Sequence, residues 1–260
     1  AANTSFVYAA GAELAKWMSP QSVVVGKSTV PVGTAAELQK QMSEIAGFAV
    51  DLIWNPEFLR EGTALEDSLH PDRVVIGGGT NAGIATLKEI YAPIVKAGTP
   101  FVEMDLQTAE LVKTAANSFL ATKISFINAM AEIAEVSGAD TVKLAEAIGL
   151  DERIGKQFLK TGIGFGGGCF PKDIRAFISR ADELGVGDAL DFLRDVDAIN
   201  LRRRQRVVDL LNKELGTVAE KKIFVLGAAF KPNSDDLRDS PALAVATKLK
   251  ALGANVFIHD

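Results

Sequence analysis

The stretch "TGIGFGGGCFPKD", residues 161–173, places five glycines and the only cysteine of the 260-residue chain within thirteen positions. Cys169 is followed by Pro171, whose fixed φ suits the first turn of a helix, so the thiol is expected at or just before a helix N-terminus. Exposed N–H groups and the helix dipole favour an anion there, which lowers a thiol's pKa and supplies a thiolate nucleophile near neutral pH. Lys172 adds to that effect. Asp173, one turn along, is close enough to the thiol to hold a water for later proton transfer. A buried structural cysteine is the alternative; the glycines on one side and the Lys-Asp pair on the other argue for exposure. Residues 162–167, "GIGFGG", match the string G-x-G-x-x-G, but a dinucleotide turn needs a β-strand before it, and "RIGKQFLK" is charged and helical in pattern. What remains is a flexible turn that ends in a thiol.

A second constellation lies in "AELVKTAANSFLA". Lys113 and Asn117 are four residues apart and share a helix face, with Glu110 on nearly the same stripe. Either Lys113 is a surface charge whose stem lies along small apolar residues, or the stripe faces a crevice where an ammonium and an amide stabilise an oxyanion. In "NPEFLREG" Glu57 and Glu61 fall on one side of an expected helical turn, where capping and solvation are the alternative to chemistry.

Composition narrows the remaining choices. One cysteine excludes an intramolecular disulfide, and two distant histidines, His70 and His259, form no cluster with zinc-ligand spacing, so no metal is expected. The net charge of −5 argues against a nucleic-acid surface, and Arg202, Arg203, Arg204 and Arg206 read as a solvated helix face. No apolar run reaches membrane-spanning length and the first thirty residues lack a signal-peptide plan, so no membrane is expected and the protein reads as cytoplasmic.

These residues must be positioned by a framework, which the hydrophobic pattern outlines. From Val23 to Glu103 the apolar runs "SVVVGKS", "AVDLIWN", "RVVIGG" and "PFVEM" alternate with helical patterns, predicting an α/β fold with a parallel sheet. Strand ends in such sheets face the ligand crevice, which selects Ser28, Thr29, Asn55, Pro56 and Glu57. After Asp105, an N-cap, about thirty residues follow helical periodicity, long enough at about 45 Å to link domains and form a dimer seam. Further helices are expected over Asp140–Ile148, Pro171–Leu184 and Asp188–Leu215. The runs "KKIFVLGAAF" and "NVFIHD", with a helix opened by Ser240 and Pro241 between them, form another strand-helix-strand unit. The first stretch offers a helix where a doubly wound sheet begins with a strand, and the last unit has two strands, so both ends are expected to be cut from something larger. Asp260 lies 33 residues after Gly227, beyond the roughly 20 of a dinucleotide half-site.

Taken together, "KSTVPVG", "NPEFLREG", "AELVKTAANSFLA", "DERIGKQFLKTGIGFGGGCFPKD" and "FKPNSDDLRDSPAL" resemble the UDP-glucose/GDP-mannose dehydrogenase family. The resemblance implies the remainder of an N-terminal NAD-binding Rossmann domain (1–104), a central helical dimerisation domain with the cysteine (105–216), and the start of a C-terminal Rossmann-like nucleotide-sugar domain (217–260). The first strands and the true glycine fingerprint are then absent from this chain. The implied chemistry oxidises a nucleotide sugar's C6 alcohol to a carboxylate with NAD, through a thiohemiacetal and a thioester on Cys169. Lys113 and Asn117 are implied to stabilise oxyanions, and Asp173 and Glu57 to position or deprotonate water. Thr29, Glu61, Lys172 and Arg238 match positions near the cofactor; Phe58, Leu59, Arg60, Phe158, Leu159, Lys160, Phe230 and Lys231 match positions around the sugar nucleotide. Arg153 matches an arginine reaching the neighbouring subunit's site, which implies a homodimer. Gly168 stands where the family has a serine.

Overall fold

The computed structural model describes residues 2–260. They pack as two compact units, one ending at Ala116 and the other spanning Asn117–Asp260.

The first unit runs α1 (Ser5–Ala15), β1 (Val23–Gly26), α2 (Thr34–Ala46), β2 (Asp51–Trp54), α3 (Ala64–Leu69), β3 (Val74–Gly78), α4 (Asn81–Ile90), α5 (Ala92–Lys96), β4 (Phe101–Met104) and the first turns of α6 (Leu106–Ser137). All four apolar runs are strands, in the order β1-β2-β3-β4. The β1–β2 and β3–β4 ladders are parallel; β2 and β3 run antiparallel, pairing Ile53 with Gly78 and Trp54 with Gly77. A parallel return needs a sheet-spanning crossover, and between β2 and β3 the chain has only the six-residue α3, so it turns back beside β2 instead.

Side-chain alternation builds a core on each face of this sheet. Leu52, Trp54 and Val75 join Ala35, Leu38, Met42 and Ala109, whereas Ile53, Val74 and Ile76 join Leu87. Each Val, Leu, Ile or Met side chain among them, removed from water, contributes about 1.5–3 kcal/mol. Gly77 is obligatory for the approach of α6, because a Cβ there would lie 2.5 Å from that of Ala109. Helix α2 begins at a glycine N-cap, Gly33, which has no side chain for its orphan amides. Glu110 supplies the acceptors from 77 residues away: its carboxylate, only 2% exposed, takes the Gly33 N–H at 2.7 Å and the Ala35 N–H at 2.6 Å. The residue that shares a stripe with Lys113 is therefore a helix cap.

Helix α6 runs unbroken for 32 residues, and Asp105 caps it by accepting the Thr108 N–H at 2.7 Å. The second unit continues with α7 (Thr141–Gly149), α8 (Phe170–Glu183), a 3-10 turn (Gly187–Leu190), α9 (Asp191–Leu215), β5 (Lys222–Leu226), α10 (Pro241–Ala251) and β6 (Asn255–His259). One cluster gathers Ala121, Phe165, Ile174, Ile178, Leu193 and Val196; another, Val208, Val218, Val245, Leu249 and Ala254, holds α9 and α10 to the parallel β5–β6 pair. The long helix expected from Asp188 thus divides into a 3-10 turn and α9.

Two local expectations fail. "RIGKQFLK" forms turns, since Gly155 and Phe158 take positive φ of 70° and 64°. Residues 55–60 of "NPEFLREG" form no helical turn either: Glu57 folds back on its own segment, accepting the Leu59 N–H at 2.6 Å. Among the described residues no helix is long and apolar enough to cross a membrane.

Candidate active site

Cys169 is the N-cap residue of α8, and its side chain is exposed. Its carbonyl accepts the Asp173 N–H at 2.8 Å, the first i to i+4 bond of the helix, with Pro171 in the opening turn. The thiol therefore stands where the uncapped N–H groups of α8 converge, at the surface rather than in a core.

The loop that presents it is clamped, not flexible. Asn200 of α9, fully buried, pairs with Phe165 as a strand would, taking its N–H at 2.7 Å and donating Nδ2 to its carbonyl at 3.0 Å. Gly164, at φ 99°, passes so close that a Cβ would overlap Asn200 Oδ1. Arg204 Nη2 donates to the Phe165 carbonyl at 2.9 Å, and its Nη1 to Asp239 Oδ1 at 2.8 Å. Asn128 of α6 accepts the Gly162 N–H at 2.9 Å. A Cβ on Gly167 would meet the Phe230 ring at 2.7 Å, and one on Gly168 would overlap the Arg238 guanidinium. The glycines thus admit side chains of the segment between β5 and α10, leaving no cradle for a diphosphate.

Beside the thiol, Asn117 Nδ2 donates to Asp173 Oδ2 at 2.7 Å, and both side chains are buried, at 7% and 3% exposure. Lys172, exposed, places Nζ 3.4 Å from the other carboxylate oxygen. One N–H of the Asn117 amide remains for a second acceptor. Arg238 grips Asp236 through Nε at 2.9 Å and Nη2 at 2.8 Å. That guanidinium, with the Arg238 and Gly168 N–H groups, holds the Asp236 carboxyl down at about 2. Lys231 Nζ lies 5.4 Å from the Phe230 ring centroid. Phe158 packs against Phe170 at 6.2 Å between centroids, Leu159 is buried, and Lys160 is exposed. Arg153 extends into solvent and pairs with Asp151, while Lys123 of α6 donates to the Ile154 carbonyl at 2.9 Å and so secures its loop.

In the first unit Lys113 is 6% exposed, which removes the surface-charge alternative. Its Nζ lies 3.7 Å from Glu57 Oε1 and 5.4 Å from the centroid of Phe58, whose ring also carries the Arg73 guanidinium at 4.0 Å. Leu59 is exposed, and Glu61 half-buried. Arg60 is committed to Asp67, whose buried carboxylate accepts from its Nε, Nη2 and backbone N–H; the guanidinium's hydrogen bonds lower the Asp67 carboxyl to about 2. Of the strand-end positions, Ser28 and Thr29 present hydroxyls at the edge of β1, exposed and half-buried. Asn55 and Pro56 are buried, and Asn55 works as a brace: Nδ2 donates to the Val75 carbonyl at 2.7 Å while Oδ1 accepts from Lys27 Nζ at 2.8 Å and the Tyr91 hydroxyl at 2.6 Å.

The arginine run does not read as one solvated face. Arg204 is 4% exposed and serves the thiol loop, whereas Arg202 and Arg206 pair outward with Glu132 and Glu135. Consecutive helix residues point about 100° apart, so a run of arginines spreads over more than half the helix circumference and one of them can turn inward. Asp260 accepts the Ala228 and Ala229 N–H groups at 2.9 and 2.7 Å, so a carboxylate already occupies the turn after β5.

Comparison with known proteins matches the geometry domain by domain. Residues 1–95 match the UDP-glucose/GDP-mannose dehydrogenase family's NAD binding domain, 107–202 its central domain, and 224–260 its UDP binding domain. The chain is 43% identical to UDP-glucose 6-dehydrogenase TuaD of Bacillus subtilis, over all of this chain and 56% of that protein. It is likewise 43% identical to a UDP-glucose 6-dehydrogenase of Rhizobium meliloti, over all of this chain and 60% of that one. A solved UDP-glucose dehydrogenase from Pyrobaculum islandicum superposes with a TM-score of 0.94 at 40% identity, over the whole chain and 60% of its own. This chain thus spans less than two thirds of each of these relatives. With three domains of one family in order and an exposed thiol in the central one, the chain belongs to the UDP-glucose/GDP-mannose dehydrogenase family.

Proposed function

We propose that this chain carries the machinery of an NAD-dependent 6-dehydrogenase acting on a nucleotide sugar, with UDP-glucose oxidised to UDP-glucuronate through covalent intermediates on Cys169. The observation that carries it is the exposed thiol at the head of α8, one helical turn from the buried Asn117–Asp173 pair. The names of the relatives and the match to a UDP binding domain support the substrate.

In this mechanism the Cys169 thiolate adds to the C6 aldehyde, forming the S–C bond as the carbonyl electrons move onto oxygen. Lys113 Nζ and the remaining Asn117 N–H stabilise that oxyanion, and donate again when water adds to the thioester. Asp173 or Glu57 takes the proton of that water, and the thiolate leaves as the carboxylate forms. The hydroxyls of Ser28 and Thr29 at the end of β1 fit a ribose or amide of the cofactor, whereas the clamped Gly162–Gly167 string does not fit a diphosphate. NAD, when bound near Thr29, Glu61, Lys172 and Arg238, supplies the acceptor for two hydrides, one from the alcohol carbon and one from the thiohemiacetal. The resemblance assigns the sugar nucleotide to Phe58, Leu59 and Arg60 in the first unit and to Phe158, Leu159, Lys160, Phe230 and Lys231 in the second.

The working form is a cytoplasmic homodimer joined through α6, with Arg153 serving the neighbouring site. Phe119, Phe126 and Ile133, exposed at 68%, 49% and 58% with seven-residue spacing, support the seam. The spans of the three family models support domains of 1–104, 105–216 and 217–260. The test is the absorbance of reduced NAD with the complete coding chain and a panel of nucleotide sugars. Two NAD reduced per UDP-glucose, abolished by Cys169→Ser with sugar binding retained, is the expected result. Turnover of GDP-mannose alone would overturn the substrate, and acid formation by the Cys169→Ser variant at the normal rate would overturn the mechanism.

A further inference from the structure

Gly168, the residue before the thiol, meets the segment between β5 and α10 at Arg238. The Asp236 carboxylate, half-buried, accepts the Arg238 N–H at 2.9 Å and the Arg238 guanidinium through Nε and Nη2. The guanidinium lies over the Cα of Gly168, in the place a side chain would fill: a Cβ there would overlap its Cζ and lie 2.5 Å from Nη1. The Gly167 N–H closes the arrangement by donating to the Arg238 carbonyl at 2.8 Å. A side chain at 168 would have to displace the end of the Arg238 side chain, and the glycine leaves that place to the guanidinium.

We propose that Asp236 is the positioning residue of the nucleophile's loop, holding the Arg238 guanidinium against Gly168 so that a neutralised cation lies against the peptide preceding Cys169. The role rests on Cys169 being the nucleophile. Asp236 touches no reacting atom. Through Arg238 it braces the peptide from which the thiol projects, and it cancels a positive charge one residue away that would otherwise favour any anion approaching the sulfur. Lys172 and Asp173 of α8 are the other charged pair at this helix head, and substitutions at Asp236 and Arg238 leave both in place.

The test uses the single cysteine, which lets alkylation report on one thiol. The ratio of its rate with iodoacetate, an anion, to its rate with neutral iodoacetamide reads local charge, because loosening of the loop changes both rates alike. At low ionic strength Asp236→Asn, which removes the charge at nearly constant shape, raises the ratio at least about threefold, and roughly 1 M salt suppresses the rise. Arg238→Ala, at an exposed side chain, lowers the ratio by a similar factor, and the double variant returns it toward that of the unaltered protein. An unchanged ratio in Arg238→Ala, or a rise in Asp236→Asn that persists when Arg238 is also removed, overturns the role of Asp236. If the ratio is unchanged while Cys169→Ser abolishes acid formation, Asp236 alone loses its role; if acid formation survives Cys169→Ser, both inferences fall.

Discussion

Asn117 Nδ2 donates to Asp173 Oδ2 at 2.7 Å in a setting where both side chains are buried, so each satisfies a polar group of the other that water cannot reach. Asn117→Ala leaves a buried carboxylate with the Lys172 ammonium at 3.4 Å as its remaining charged partner. The expected cost is about 1–3 kcal/mol, read as a lower urea midpoint at unchanged slope. Asp173→Asn sets one amide against another, keeps the fold, and lowers kcat by about a hundredfold or more if the carboxylate moves a proton. A variant with normal kcat would remove Asp173 from the chemistry.

The cysteine loop depends on Asn200. It satisfies both backbone groups of Phe165 from a site without exposure, and it leaves no volume for a side chain at Gly164. Asn200→Ala strips two buried partners and is expected to cost about 2–4 kcal/mol. Gly164→Ala adds a backbone penalty, because φ there is 99°. In both variants proteolysis should open the chain near residues 162–168 at denaturant concentrations where the unaltered protein resists. Protection unchanged in both would mean the clamp does not hold the loop.

Asp67 gives the first unit a defined acid dependence. Its carboxyl, held at about 2 by the Arg60 hydrogen bonds, lies below the roughly 3.9 of an unfolded aspartate. The stabilisation is therefore complete above about pH 4 and is lost as pH falls through about 2. With the guanidinium largely in solvent, about 1–2 kcal/mol is at stake. Asp67→Asn should lose that amount at pH 7 and show a shallower decline between pH 4 and 2. Parallel urea midpoints for the two proteins across that window would exclude the pair as a source of acid sensitivity.

Much of this architecture is legible in the residues. Short β-rich apolar runs mark β1 to β4, Asp105 and Ser240 mark helix starts, and Pro171 places Cys169 at the head of α8, because these signals act within a few residues of where they are written. The antiparallel β2–β3 step was hidden, since strand direction depends on whether the connection crosses the sheet. The partners of the thiol loop were hidden for a related reason. Asn200, Arg204 and Asp236 come from segments 35 or more residues away, and each looks like an ordinary surface residue in its own neighbourhood. Glu110 shows the converse hazard: helix spacing put it beside Lys113, but a buried carboxylate goes where orphan amides lie. Glu110→Ala should accordingly cost about 2–3 kcal/mol while leaving kcat within about threefold in the folded fraction. A thousandfold loss of kcat at full stability would return Glu110 to the reacting site.

In the proposed dimer, the seam on α6 ties assembly to activity. Phe119, Phe126 and Ile133 recur at intervals of seven and stand exposed on a helix whose other residues, Ala121, Ile127 and Ala131, are buried within the chain, so two apolar faces share one helix. Only the inward face is covered. If a second copy covers the other, Phe126→Glu places a charge in a desolvated seam and should halve the mass seen by sedimentation at micromolar concentration. Because Arg153 is solvent-directed on its own subunit and held to its loop by Asp151, its proposed service to a neighbour is lost with the dimer. Acid formation should then fall by at least about a hundredfold, while alkylation of Cys169 by iodoacetamide, which needs no neighbour, proceeds within about twofold of the normal rate. A Phe126→Glu protein of unchanged mass would place the subunit contact elsewhere, and a monomer of full activity would leave Arg153 without a role across the interface.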